Sequence, residues 1–267
     1  MSTNKIGTLC VVGGGNMGGA LLSRWCAAGI AEKIFLIDPA DVDAPDGASH
    51  VRDFAGIDGT ADVVVVAVKP DLAADVLTEI APLLAEHTII VSIMAGLPLP
   101  AMSKHVSTGK LVRAMPNTPC KVGAGVTGLF TEQLSGIERT NISALFDVAG
   151  ATHWLSEEVQ FDALTAVSGS GPAYVFRMVE ALAAAGEGVG LEPELARLLS
   201  RQTIIGAGAL LADDAREARE LRAAVTSPNG TTEAGLEALD ADPGLPAVIR
   251  AAVRAAATRS REISNED

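Results

Sequence analysis

Near the amino terminus, Gly13-Gly14-Gly15-Asn16-Met17-Gly18 fits G-x-G-x-x-G. Glycine at these positions permits a tight turn, backbone approach to a pyrophosphate, and close helix–strand packing. A helix opening after the loop would offer free N–H groups and a positive dipole end to the phosphates. Asp38 stands twenty residues past Gly18, where a carboxylate would accept from an adenosine ribose hydroxyl. That chemistry is dinucleotide binding. A carboxylate repels a 2′-phosphate, and Pro39-Ala40-Asp41-Val42-Asp43 carries no Arg or Lys to hold one, so these residues lean toward NADH.

Two further loops, Ala67-Val68-Lys69-Pro70 and the one containing Ala95-Gly96, follow apolar runs. Loops at the carboxyl ends of parallel strands are where such folds bind ligands. Past Lys121 the chain has no Lys, and past His153 no His; Cys120 is its last Cys. A hydroxyl-oxidising dehydrogenase needs a proton acceptor, usually His, Lys or Tyr. A protonated imine does not, because it accepts hydride directly at carbon. Ser168-Gly169-Ser170-Gly171-Pro172 and Thr226-Ser227-Pro228-Asn229-Gly230-Thr231-Thr232 place hydroxyls and small residues before helical segments. Such ends suit a carboxylate, although Ser/Thr capping accounts for the same composition.

The elements that must position these groups change near residue 156. Before it, strand-like runs at 9–12, 33–37, 63–66, 88–93, 111–113 and 126–130 alternate with helical stretches at 20–28, 72–84 and 134–148. Pro82 is a possible kink in the second of those helices. This alternation predicts an α/β, doubly wound, mainly parallel sheet of the Rossmann kind. After it come Ala- and Leu-rich segments at 175–185, 193–212, 217–225 and 246–263. Leu245, Val248, Ile249, Ala252, Val253 and Ala256 form one apolar helical stripe. The reading is a dinucleotide-binding domain over 1–156 and an all-helical dimerisation and substrate domain over 157–267. So small a helical domain is expected to bury its faces against a second subunit.

The 267 residues are 48% hydrophobic and 20% charged, which is globular composition. Only 3% are aromatic, so the core must be aliphatic. A net charge of -13 without a basic cluster argues against nucleic acid and anionic membrane as partners. The longest apolar run is far too short to span a bilayer. Cys10, Cys26 and Cys120 are too sparse for a disulfide framework or a metal site. The opening Met1-Ser2-Thr3-Asn4-Lys5 lacks the apolar core of a leader, so the expected compartment is the cytoplasm.

The glycine loop, Ala67–Pro70, Arg113-Ala114-Met115-Pro116-Asn117-Thr118-Pro119, the segment 164–174 and the segment 221–232 run in one order over nearly the whole chain. In them the sequence closely resembles the pyrroline-5-carboxylate reductase family. The resemblance implies reduction of 1-pyrroline-5-carboxylate to L-proline by NAD(P)H, on a homodimer and in a larger ring. It implies that Gly13, Gly15, Asn16, Met17, Gly18, Ala67, Val68, Lys69, Pro70, Ala95 and Gly96 hold the coenzyme. Ser227, Gly230 and Thr231 would bind the substrate carboxylate, and Thr232 the ring nitrogen as the catalytic hydroxyl. Pro116 and Asn117 would lie near the nicotinamide. The family has Pro-Gly-Gly where this chain has Pro228-Asn229-Gly230; Asn tolerates positive φ, so the turn should survive. The family leans toward NADPH, against Asp38. Two rivals are a 6-phosphogluconate or β-hydroxyacid dehydrogenase-like reductase and a non-enzymatic dinucleotide sensor. The first uses a lysine on the helix after the Rossmann domain, where 173–185 has only Arg177.

Overall fold

A computed structural model describes residues 5–266 of the chain. Residues 1–4, on which the expectation about a leader rests, lie outside the described residues. Eight strands form one sheet: β1 (Ile6–Val12), β2 (Ala31–Ile37), β3 (Ser49–Val51), β4 (Val63–Val66), β5 (Ile89–Ser92), β6 (Lys110–Met115), β7 (Gly125–Phe130) and β8 (Gly150–Trp154). Their order is β3-β2-β1-β4-β5-β6-β7-β8. Every pair is parallel except β6–β7. The order reverses direction beside β1, which is the switch point where doubly wound sheets bind ligands.

The valine run of β4 shows why this segment is a strand. Val63 and Val65 enter one apolar cluster, and Val64 and Val66 the other. Side chains alternate across a strand, so only a strand covered on both faces accepts four apolar residues in succession. β1 divides likewise, with Leu9 and Val11 on one side, Cys10 and Val12 on the other. Burial pushes the Cys10 thiol up to about 12, so it is an inert apolar filler.

Helix α1 (Asn16–Ala28) and helix α4 (Gly136–Asp147) cover the first face with Leu21, Leu22, Trp25, Ile142, Leu145 and Phe146. The Trp25 indole N–H donates to the Leu145 carbonyl at 2.7 Å, and its ring meets Phe146 edge-on. Helix α2 (Ala73–Glu79) and helix α3 (Leu99–Met102) cover the other face through Leu77 and Met102. The expected helix over 72–84 is broken. It becomes α2 between two 3₁₀ turns, Pro70–Leu72 and Ala81–Leu83. Pro82 lacks the N–H that would continue α2.

Packing divides the chain in two. One unit runs to Gly169 and resumes at Ala256; the other is Ser170–Ala255. The short helix α5 (Gln160–Leu164) and a π turn at Thr165–Gly169 complete the first unit's run. The second unit holds α6 (Gly171–Gly188), α7 (Pro193–Asp213), α8 (Ala218–Ala224), α9 (Thr231–Asp240) and the first half of α10 (Leu245–Glu266). In it α6 folds back against α7, where a Cβ on Gly186 would stand 3.4 Å from the Ala196 methyl carbon. Only Ala183, Ala196 and Ser200 are buried in this unit, while Phe176 is 64% and Leu198 63% exposed.

Candidate functional site

At the end of β1 the chain must turn sharply, and its glycines are fixed by contact. Gly13 has φ +101°, and an added Cβ would stand 2.7 Å from the Ala67 carbonyl oxygen. A Cβ on Gly18 would lie 2.3 Å from the Gly13 oxygen and 2.9 Å from the Ala67 methyl. These two glycines therefore serve packing of loop, helix and β4. Gly15 differs: an added Cβ would meet nothing within 4 Å. It is the extended N-cap of α1 and gives that helix no side-chain cap. The first N–H groups of α1, on Asn16, Met17 and Gly18, thus keep their capacity to donate to an anion. A cradle closed to side chains at Gly13 and Gly18 and open at Gly15 fits a pyrophosphate.

Asp38 lies beside this loop. One carboxylate oxygen accepts from Gly14 N–H at 2.8 Å and the other from Ala40 N–H at 3.0 Å. The carboxylate is thereby pinned, with lone pairs left for a ribose hydroxyl. A cavity of about 460 Å³ opens here, lined by Gly13, Gly15, Asp38, Ala67, Val68 and Lys69. Its apolar wall, Ile37, Phe54, Leu72 and Val76, suits a flat heteroaromatic ring. The structure thus brings together the glycine loop, Asp38 and the 67–69 loop. Pro70 opens the adjoining 3₁₀ turn, for which Lys69 is the N-cap.

One lining residue was invisible to the sequence reading. Arg52 reaches the same cavity from just beyond β3 and pairs with Asp41. The absence of basic residues from 39–43 therefore does not leave this end of the cavity without a cation. Only the pairing of β3 with β2 reveals it, and three-residue β3 has no apolar pattern to announce it.

Ala95 and Gly96 form an exposed and a buried half of the turn after β5. Gly96 has φ +83°, and a Cβ there would stand 2.8 Å from Ile263 Cγ2 of α10. Neither lines the cavity above. Pro116 and Asn117 are buried past β6. The Asn117 amide donates to the Ser168 carbonyl at 3.0 Å and accepts from Val126 N–H at 2.8 Å. It ties the end of β6 to β7 and to the π turn, so its side chain is a brace. Arg113, also in that motif, is 7% exposed, pairs with Glu158 at 3.1 Å and stacks over Phe161.

In the second unit, the turn before α9 has the expected shape. Asn229 takes φ +58°, the left-handed conformation foreseen for it, and its N–H donates to Glu233 at 2.6 Å. Gly230 N–H donates to the Ser227 carbonyl at 3.0 Å. A Cβ on Gly230 would fall 2.4 Å from the Ser227 hydroxyl oxygen. Gly230 is the N-cap of α9 and supplies no side-chain cap, and Ser170 caps α6 without a side-chain bond either. The hydroxyl capping that could explain these compositions is not formed. Ser227, Thr231 and Thr232 are exposed around one helix start. Among the described residues, no group of three or more His, Cys, Asp or Glu could hold a metal ion. No helix among them is long and apolar enough to cross a membrane.

Comparison with known proteins covers both parts of the chain. Residues 158–263 match the family described as pyrroline-5-carboxylate reductase dimerisation. Residues 8–96 match NADP oxidoreductase coenzyme F420-dependent. A pyrroline-5-carboxylate reductase of Pseudomonas aeruginosa is 38% identical over 100% of this chain and 99% of its own. One from Mycobacterium tuberculosis is 37% identical over 96% of each. Among solved structures, a pyrroline-5-carboxylate reductase from Coxiella burnetii superposes with a TM-score of 0.90 at 34% identity, over 97% of this chain and 99% of that one. The Plasmodium falciparum pyrroline carboxylate reductase, solved with NADP bound, gives 0.83 at 31% identity, over 98% and 100%.

Proposed function

The chain belongs to the pyrroline-5-carboxylate reductase family, and on that premise we propose that it reduces 1-pyrroline-5-carboxylate to L-proline, the closing step of proline biosynthesis. The observation that carries the coenzyme half is the cradle closed at Gly13 and Gly18 and open at Gly15. The coenzyme supplies the hydride. Gly15, Asn16, Met17 and Gly18 hold its pyrophosphate, Asp38 its adenosine ribose, and Ala67 to Pro70 with Ala95 and Gly96 the remainder.

Ser227, Gly230 and Thr231 hold the substrate carboxylate by hydroxyl and backbone N–H at the positive end of α9. Thr232 hydrogen-bonds the ring nitrogen. A threonine hydroxyl is too weak an acid to protonate a substrate unaided, so it orients the imine and relays a proton at most. The protonated imine needs no more: hydride adds to carbon, and the C=N electron pair becomes the amine lone pair. This explains why a substrate domain without His, Lys or Cys suffices. Pro116 and Asn117 shape the nicotinamide side, Asn117 through its bracing bonds.

Coenzyme choice follows Asp38 toward NADH, while NADPH remains a usable second coenzyme. The dimer that the family's dimerisation domain forms assembles further into a ring, in the cytoplasm. A net charge of -13 argues against nucleic acid as a partner. The test is initial-rate kinetics of the purified protein with 1-pyrroline-5-carboxylate and each coenzyme. We expect imine-dependent coenzyme oxidation with kcat/KM higher for NADH. Oxidation of neither coenzyme contradicts the function; clear preference for NADPH contradicts only the Asp38 assignment.

A further inference from the structure

The sheet places a cation where the sequence reading found none. β2 and β3 pair in parallel with Ile37 opposite Val51, and Asp38 N–H donates to the Val51 carbonyl at 3.1 Å. The next residues, Asp38 and Arg52, therefore leave the sheet side by side, and both line the cavity that holds the glycine loop. In a doubly wound fold this strand end faces the adenosine ribose.

We propose that Arg52 and Asp41 together select the coenzyme. The Arg52 guanidinium is the group able to take a ribose 2′-phosphate, and Asp41, by pairing with it, biases the site toward a free 2′-hydroxyl. This rests on the coenzyme reading above. A guanidinium presents forked donors that match phosphate oxygens, and that bond is stronger than a neutral one. Its pair with Asp41 is solvent-exposed, at 63% and 82% for the two side chains, and such pairs are weak in water. A phosphate could therefore displace Asp41, but it would enter a cavity that Asp38 and Asp53 also line, with Asp41 beside the guanidinium. Lys69, the other cation of the cavity, comes from the β4 side. Asp41 thus adds to the bias that Asp38 already sets against a phosphate, and removing its charge weakens that bias.

The test is calorimetric binding of 5′-ADP and 2′,5′-ADP to the full chain at low salt, in wild type, Asp41→Asn and Arg52→Gln. Both positions are exposed, so both variants should fold, and their thermal unfolding midpoints check this. The affinity ratio of 2′,5′-ADP over 5′-ADP should rise about tenfold in Asp41→Asn and fall about tenfold in Arg52→Gln, as a gained or lost charge-assisted bond implies. The NADPH over NADH ratio of kcat/KM should move the same way. Unchanged ratios in folded variants overturn the inference and leave the coenzyme reading standing. A wild type that binds neither nucleotide overturns both.

Discussion

Thr232, the hydroxyl proposed to orient the imine, stands at the first turn of α9, exposed and apart from any capping bond. Thr232→Ala should lower kcat/KM for the imine by about tenfold or more, the loss of one hydrogen bond to a charged group, with coenzyme affinity unchanged. Steady-state kinetics beside a coenzyme titration separate the two. Two residues upstream of Gly230, Pro228 was legible as a turn former; Asn229 was legible too, because few non-glycine residues accept φ +58°. Asn229→Ala should destabilise that turn by about 1 kcal/mol and raise the imine KM, whereas Asn229→Gly should not. Gly13→Ala should abolish measurable binding of either coenzyme, since its methyl would collide with the Ala67 carbonyl. The role of Asn117 was the least legible of the site residues. Its position after β6 is plain from the sequence, but its two backbone partners, Val126 and Ser168, come from β7 and from the π turn.

Elements with strong patterns were readable, and those defined by their neighbours were not. The valines of β4 and the stop of α1 at Gly29 follow from local physics; Gly29 takes φ +58° and its N–H reaches the Cys26 carbonyl. β3 and β8 were missed, because three residues of mixed polarity and an edge strand bearing Thr152 and His153 carry no apolar alternation. Missing β3 also hid Arg52. The helix expected over 134–148 forms as α4, and its start at Gly136 is set by a full capping box between Ser135 and Glu138 that the apolar pattern did not point to. Hydrogen bonding from the Lys110 ammonium, aided by Ser135 N–H, lowers the Glu138 carboxyl to about 2. Its folded value lies below its unfolded one, so the ionised group stabilises the fold above the ordinary carboxylate range and ceases to as pH falls toward 2. Glu138→Gln should lose about 1 kcal/mol at neutral pH, a drop of about 2–4 °C in Tm. The gap to wild type should close between roughly pH 4.5 and 2. Thermal unfolding across that range checks both size and sign.

At the scale of the molecule, the second unit is too apolar outside to stand alone. Phe176, Leu198 and Leu210 are each at least 60% exposed, and a side chain of this kind gains about 1.5–3 kcal/mol on full burial. Residues 158–263 match a dimerisation family, so a second copy is the cover proposed for these faces. Sedimentation should therefore show no active monomer, and Phe176→Asp should shift the protein toward monomer or aggregate with loss of activity. The 3% aromatic content becomes intelligible at this scale, because helices pack through Ala and Gly, as at Gly186 and Ala196. A net charge of -13 likewise has no bearing on fold, and it fits the proposal that an anionic imino acid is met by backbone N–H groups and helix ends. The measurement that tests the account most directly is the product balance: purified protein, 1-pyrroline-5-carboxylate and NADH, with L-proline and oxidised coenzyme quantified together. The account predicts L-proline formed one-for-one with NADH oxidised. Coenzyme oxidation without L-proline, or no turnover with either coenzyme, would contradict it.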